Sequence, residues 1–153
     1  MAKKGGKQVE VVPEVKEPEF IVGTGEFTFT DGSQYIGEWK EMQGRKFREG
    51  QGTFINGKEK YVGSWVDDKM HGNGEYFFGS GSVYRGSFVN NLFHGEGEYI
   101  FPDGAKYTGS WSSNKMHGVG TYVDNDNNIF KGRYNNGLYD SGDGGYLTVR
   151  PIN

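Results

Sequence analysis

Three histidines are the side chains of this sequence best suited by type to do chemistry. His71, His94 and His117 are its full complement; each is followed by Gly-x-Gly, and they recur about every 23 residues. An imidazole can ligate a metal or carry a proton near neutral pH. Two other segments carry acidic or basic groups. Asp124-Asn125-Asp126-Asn127-Asn128 has the alternating oxygens of a calcium loop, and Lys40, Arg45, Lys46 and Arg48 form a short basic cluster.

Whether these groups act together depends on the elements that place them. Around each histidine the apolar residues alternate with period two, which predicts strands. Tyr61-Val62-Gly63-Ser64-Trp65, Tyr84-Arg85-Gly86-Ser87-Phe88 and Tyr107-Thr108-Gly109-Ser110-Trp111 open three successive units. Each is followed by its histidine and then by Gly74, Gly97 or Gly120. Pro102-Asp103-Gly104 and Thr30-Asp31-Gly32-Ser33 are turn sequences between alternating runs, a strong hairpin signal. A unit is therefore a hairpin, and equivalent residues in neighbouring hairpins lie two strands, about 9.5 Å, apart. Nitrogens sharing a zinc at about 2.1 Å must lie within about 4 Å of each other. The histidines are thus expected to serve their turns, beside Gly72, Gly95 and Gly118, and no metal site is expected. The acidic run lacks the glycine and the distal glutamate of a calcium loop and falls where a unit has its turn. Gly72-x-Gly74 and its copies lack the strand-to-helix setting and the following Lys of a phosphate loop. No catalytic residue and no cofactor site is expected.

The repeat continues with drift at both ends. Tyr35-Ile36-Gly37-Glu38-Trp39 is a full match whose Gly50-x-Gly52 arrives late, after an insertion around Gln43–Arg48, with Glu49 in the histidine position. Phe130-Lys131-Gly132-Arg133-Tyr134 opens a last, altered unit, and Gly23-Thr24-Gly25-Glu26-Phe27 supplies an orphan half. Irregular end units suit a stacked array, whose ends must face water. The expected fold is all-β: antiparallel hairpins in one elongated twisted sheet over residues 21–149, with units from Tyr35, Tyr61, Tyr84, Tyr107 and Phe130. Residues 1–20 read as a polar tail, broken by Pro13 and Pro18, and 150–153 as a short C-terminal end. The recurring glycine between two aromatic residues implies close approach of something bulky. The expectation is a ring from the neighbouring strand, such as Tyr99 or Phe101 over Gly86 or Gly109.

Tyr-x-Gly-x-Trp followed by His-Gly-x-Gly at this period resembles the MORN repeat. The resemblance covers roughly Gly23 to Val149 and implies two-stranded hairpins forming one long twisted sheet. It also implies a protein-binding scaffold, since short chains made almost wholly of such repeats recur in cilia, flagella and cortical cytoskeleton. A phosphoinositide-binding adaptor at a membrane is the alternative that the family implies.

Composition bears on these readings. A formal net charge of −3 opposes a general nucleic-acid binder. Cysteine is absent, so no disulfide or thiolate site exists, which fits a reducing, intracellular setting. No apolar run approaches the roughly 18 residues of a spanning helix. Aromatic content of 16% against 33% hydrophobic overall suits a thin sheet carrying one layer of rings. Trp39, Trp65 and Trp111 are read either as that core or, where exposed, as contacts for an extended peptide or helix of a partner. Arg45, Lys46 and Arg48 are the basic contacts of the insertion. The end strands near Phe27 and Tyr146–Val149 have edges open to a partner or to a second copy.

Overall fold

The computed structural model describes residues 19–152; the tail reading otherwise lies outside the described residues. Twelve strands form one antiparallel sheet in strict chain order. They are β1 (Ile21–Thr28), β2 (Gln34–Met42), β3 (Arg45–Asn56), β4 (Glu59–Val66), β5 (Lys69–Phe77), β6 (Val83–Val89), β7 (Leu92–Ile100), β8 (Lys106–Ser112), β9 (Lys115–Val123), β10 (Ile129–Asn135), β11 (Leu138–Asp140) and β12 (Tyr146–Leu147). Two kinds of connection alternate over much of the array. The two-residue turns Asp67–Asp68, Asn90–Asn91, Ser113–Asn114 and Asn136–Gly137 have positive φ at both positions, the geometry that matches the twist of a hairpin. The others include the two-residue Gly57–Lys58 turn and wider loops such as Phe101–Ala105, which are closed by an aspartate or serine side chain.

A row of glycine crosses the sheet. Gly25, Gly37, Gly52, Gly63, Gly74, Gly86, Gly97, Gly109, Gly120 and Gly132 stand opposite one another on successive strands β1 to β10. The ring that needs this bare backbone is not the one expected from the sequence. Tyr84, two residues before Gly86 on the same strand, brings its hydroxyl over Gly86 and its ring over Gly97 of the neighbouring strand. A Cβ on Gly97 would meet its ring atoms at 2.7 and 2.8 Å. The Tyr84 hydroxyl then donates to the Ser87 carbonyl at 2.9 Å, and Tyr61 and Tyr107 do the same to Ser64 and Ser110. Residues two apart share a face of a strand, so a ring laid flat can cover only a residue with no side chain.

Beyond every second glycine pair the register shifts. Gly86 faces Gly97, yet Phe88 faces Phe93, so His94, Gly95 and Glu96 stand opposite Ser87 alone. The same irregularity follows Gly37, Gly63 and Gly109. Gly50, Gly72, Gly95 and Gly118 take positive φ there, which a bulge of this kind favours.

The rings bury one another along the array. Edge-on pairs link each unit to the next: Tyr35 with Trp65 at 5.6 Å, Tyr61 with Phe88 at 5.1 Å, Tyr84 with Trp111 at 5.3 Å and Tyr107 with Tyr134 at 5.0 Å. Such geometry adds about 0.5–1.5 kcal/mol per pair beyond area burial. The opposite face carries exposed ion pairs such as Arg85–Glu75 at 3.0 Å, which contribute little.

Buried phenols make this core sensitive to alkali. Burial pushes Tyr35, Tyr61, Tyr76 and Tyr134 up to about 12, and Tyr84 and Tyr107 further. The unfolded chain loses these protons near pH 10. Because the folded values are raised, their contribution is complete below about pH 10 and is lost as pH rises through 12. Urea midpoints are therefore expected to stay level up to about pH 10 and then fall steeply, with phenolate absorbance rising together with loss of the near-ultraviolet dichroism. Ionisation of Tyr61, Tyr84 and Tyr107 at about pH 10 in a still-folded chain would contradict the burial.

Candidate functional site

The three histidines lie within β5, β7 and β9, at the bulges, and not in turns as expected from the sequence. The reason is the positive φ of the following glycine, which opens the strand without reversing it. His71 Nδ1 accepts the Asn90 N–H at 3.5 Å and His117 Nδ1 accepts the Asn136 N–H at 3.3 Å. Each thus tethers the hairpin turn of the next unit. Among the described residues no three His, Asp or Glu side chains converge as metal ligands would. Asp124 closes its own turn, taking the Asp126 and Asn128 N–H groups at 2.9 and 2.8 Å, and the Asn128 side-chain amide, helped by these two bonds, holds its carboxyl below the usual range.

Trp65 and Trp111 are only 3% exposed, which removes them from the expected partner contacts. Each fills the ring stack and donates its indole N–H to the glycine row of the preceding unit, Trp65 to Gly52 at 3.2 Å and Trp111 to Gly97 at 3.1 Å. Trp39 alone stays half-exposed, because no complete unit precedes it; its ring lies under Lys46 Nζ at 4.1 Å. Apart from Lys46, the basic cluster is matched by acids. Arg48 bonds Asp68 through Nε at 3.3 Å and through Nη2 to its carbonyl at 3.0 Å, and Arg45 reaches the same carboxylate at 3.5 Å. Lys40 meets Asp67 at 2.6 Å and Glu49 at 3.3 Å.

A clamp between units escaped the sequence reading. Asn114 donates its N–H to the Phe93 carbonyl at 3.1 Å, and its Oδ1 accepts the Phe93 N–H at 2.8 Å. Asn91 holds Met70 in the same way, and Asp68 holds Arg48. Each clamp residue stands seven after the opening tyrosine of its unit, an offset at which Gly137 closes the last unit with the backbone bond alone.

The aromatic face differs between its two halves, and the C-terminal segment makes the difference. Val149 and Ile152 pack against the ring cluster. Between them Arg150 places its guanidinium 4.1 Å over the Phe101 ring and pairs with Asp103 at 2.6 Å. Ile152 reaches a groove of about 330 Å³ shared with Met70, Tyr76, Phe78 and Phe93. Residues 150–152 are thus more than a free end. Tyr99, Phe101 and Tyr122 are buried in this half, whereas their counterparts Phe27, Phe29, Phe54, Tyr76 and Phe78 remain partly open. That open half, continued by a groove of about 220 Å³ along Phe27, Phe29, Tyr35, Trp39 and Phe47, is the candidate binding face.

A family model, the MORN repeat, matches residues 20–34, 61–83, 84–106 and 107–129. The unit bearing the insertion and the last, altered unit fall outside these matches. No curated protein matches the chain.

Proposed function

The chain belongs to the MORN-repeat family, and from that membership and the half-open aromatic face we propose a non-enzymatic scaffold that binds other proteins, as a component of a ciliary or flagellar axoneme or another cytoskeletal assembly. The observation that carries the reading is the partly open row Phe27, Phe54, Tyr76 and Phe78, on a face whose other half is sealed by the chain's own C-terminal segment, with Ile152 reaching the near edge of the row at Tyr76 and Phe78. Exposed contiguous apolar area on a small protein marks an interaction surface, and repeat arrays work by presenting such surfaces. Membrane association through phosphoinositides is the weaker reading. Headgroups need uncommitted cations, and Lys40, Arg45 and Arg48 are already paired with Glu49, Asp67 and Asp68. End-to-end association is part of the proposal: β1 offers the outer edge of an eight-residue strand, with no proline or lysine to guard it.

Detergent fractionation of a ciliated or flagellated cell expressing the tagged protein tests this. Retention with the microtubule skeleton in moderate salt is expected, as is release when Phe54 and Tyr76 are both changed to Ala. Release of the unaltered protein with the membranes would favour the lipid reading instead.

A further inference from the structure

The turn that follows each second strand of a unit recurs, wide in every copy except the two-residue Gly57–Lys58, and two of the copies share a feature the others lack. Measured from the glycine row, the positions four and six residues on are Phe29 and Asp31, Asn56 and Lys58, Phe78 and Ser80, Phe101 and Asp103, and Asp124 and Asp126. Only the first and the fourth combine an aromatic ring with a carboxylate. In the fourth, the pair holds Arg150: the guanidinium lies over Phe101, and Nη1 meets Asp103 Oδ2. This is cation–π attraction joined to a charge-assisted hydrogen bond.

The first copy is built to the same plan. Phe29 N–H donates to the Ser33 carbonyl at 2.9 Å and Gly32 N–H to the Phe29 carbonyl at 3.0 Å; the corresponding bonds from Phe101 and Gly104 measure 2.8 and 3.0 Å. Asp31 Oδ1 accepts the Ser33 N–H at 2.9 Å, as Asp103 Oδ1 accepts that of Ala105 at 3.1 Å. In both turns the first carboxylate oxygen is anchored on the backbone, and Asp103 offers its second oxygen to arginine. The neighbouring ring corresponds as well, since Phe101 packs on Tyr122 at 6.0 Å and Phe29 on Phe54 at 6.4 Å. The difference lies in occupancy: Phe101 is 5% exposed and Phe29 43%. Arg48, which shares a groove with Phe29, lies over Phe54 and Trp65 and is engaged by Asp68.

We propose that Phe29 and Asp31 form an open arginine socket, the vacant counterpart of the one that holds Arg150, and that it takes an arginine from an extended segment of a partner protein with aliphatic residues beside it, as Val149 stands beside Arg150. The proposal rests on the protein-binding reading above and names the chemistry of one contact in it.

Titrating the full-length, isotope-labelled protein with a synthetic peptide of its own residues 146–153 tests the assignment by nuclear magnetic resonance. One equivalent should bind, shifting Phe29, Asp31 and Phe54. Asp31→Asn, whose amide oxygen can keep the Ser33 bonds, should weaken binding at least ten-fold at unchanged melting temperature, and so should replacing the peptide's arginine by alanine. Shifts confined to Phe101, Asp103 and Tyr122 would mean exchange with the chain's own segment and would overturn the socket. So would equal affinity for Asp31→Asn or for the arginine-free peptide. If Asp31→Asn leaves the protein on the cytoskeleton while the Phe54 and Tyr76 double variant releases it, the socket fails and the binding face stands. If neither change releases it, both fail.

Discussion

Gly86→Ala is expected to lower the melting temperature by about 6–12 °C. The new Cβ would stand 2.5 Å from Gly97 Cα, 2.6 Å from the Glu96 carbonyl oxygen and 2.8 Å from the Tyr84 hydroxyl. Two of these are backbone atoms fixed by the sheet, so relief requires the strands to part or the ring to lift, and the second also breaks the bond to Ser87. Overpacking of this kind costs about 3 kcal/mol, and each kcal/mol shifts a chain of this size by about 2–4 °C. Gly79→Ala is the matched control. Its Cβ would meet nothing nearer than Lys58 Cβ at 3.7 Å, so a change within about 0.5 kcal/mol is expected. Calorimetry on the two variants decides the matter: equal melting temperatures would mean that the glycine row is not needed for close approach.

The second large effect is expected at the clamp. Asn114→Ala removes the acceptor of the Phe93 N–H, costing about 1–3 kcal/mol for a donor left without a partner. It also places alanine at φ 68, which costs about 1–2 kcal/mol more. Asn114→Gly relieves the second cost and keeps the first, while Asn114→Asp keeps both the acceptor and much of the tolerance for that conformation. Urea midpoints should therefore order as Asn and Asp above Gly above Ala. The chain already uses three of these residues at the equivalent position, in Asp68, Asn114 and Gly137. Equal midpoints for the glycine and alanine variants would show that the strain is unimportant. A glycine variant as stable as the parent would show the same of the side-chain bond.

The strands and their faces were legible in the sequence because Tyr-x-Gly-x-Trp fixes period and orientation together, and the sheet follows that reading from β1 to β10. Three features were not. The identity of the ring was misread: packing across strands is real, but it is Tyr84, two residues before Gly86, whose ring crosses to Gly97 on the neighbouring strand, and not Tyr99 or Phe101. The clamp was hidden because Asn91 and Asn114 look like ordinary polar turn residues; only their constant offset from Tyr84 and Tyr107 sets them apart. The C-terminal segment was hidden more deeply. Arg150 reaches Asp103 across 47 positions, and no local pattern predicts a contact at that separation. The tryptophans show the limit on the binding side, since hydrophobic type is the same for a buried Trp111 and a half-open Trp39, and only the presence of a complete preceding unit separates them.

Strict chain order also makes the array a measure of length. The strands meet only their sequence neighbours in the sheet, so a copy of residues 84–106 spliced in after position 106 would find on each side the surfaces it already fits. Two strands would be added, and the turns at Phe29 and Phe101 sit on one scale, six strands or about 29 Å apart at about 4.8 Å per strand. Repeat number therefore sets reach in steps of about 10 Å, and the span from the open turn at Phe29 to the turn closed by Arg150 is written in the count of units between them.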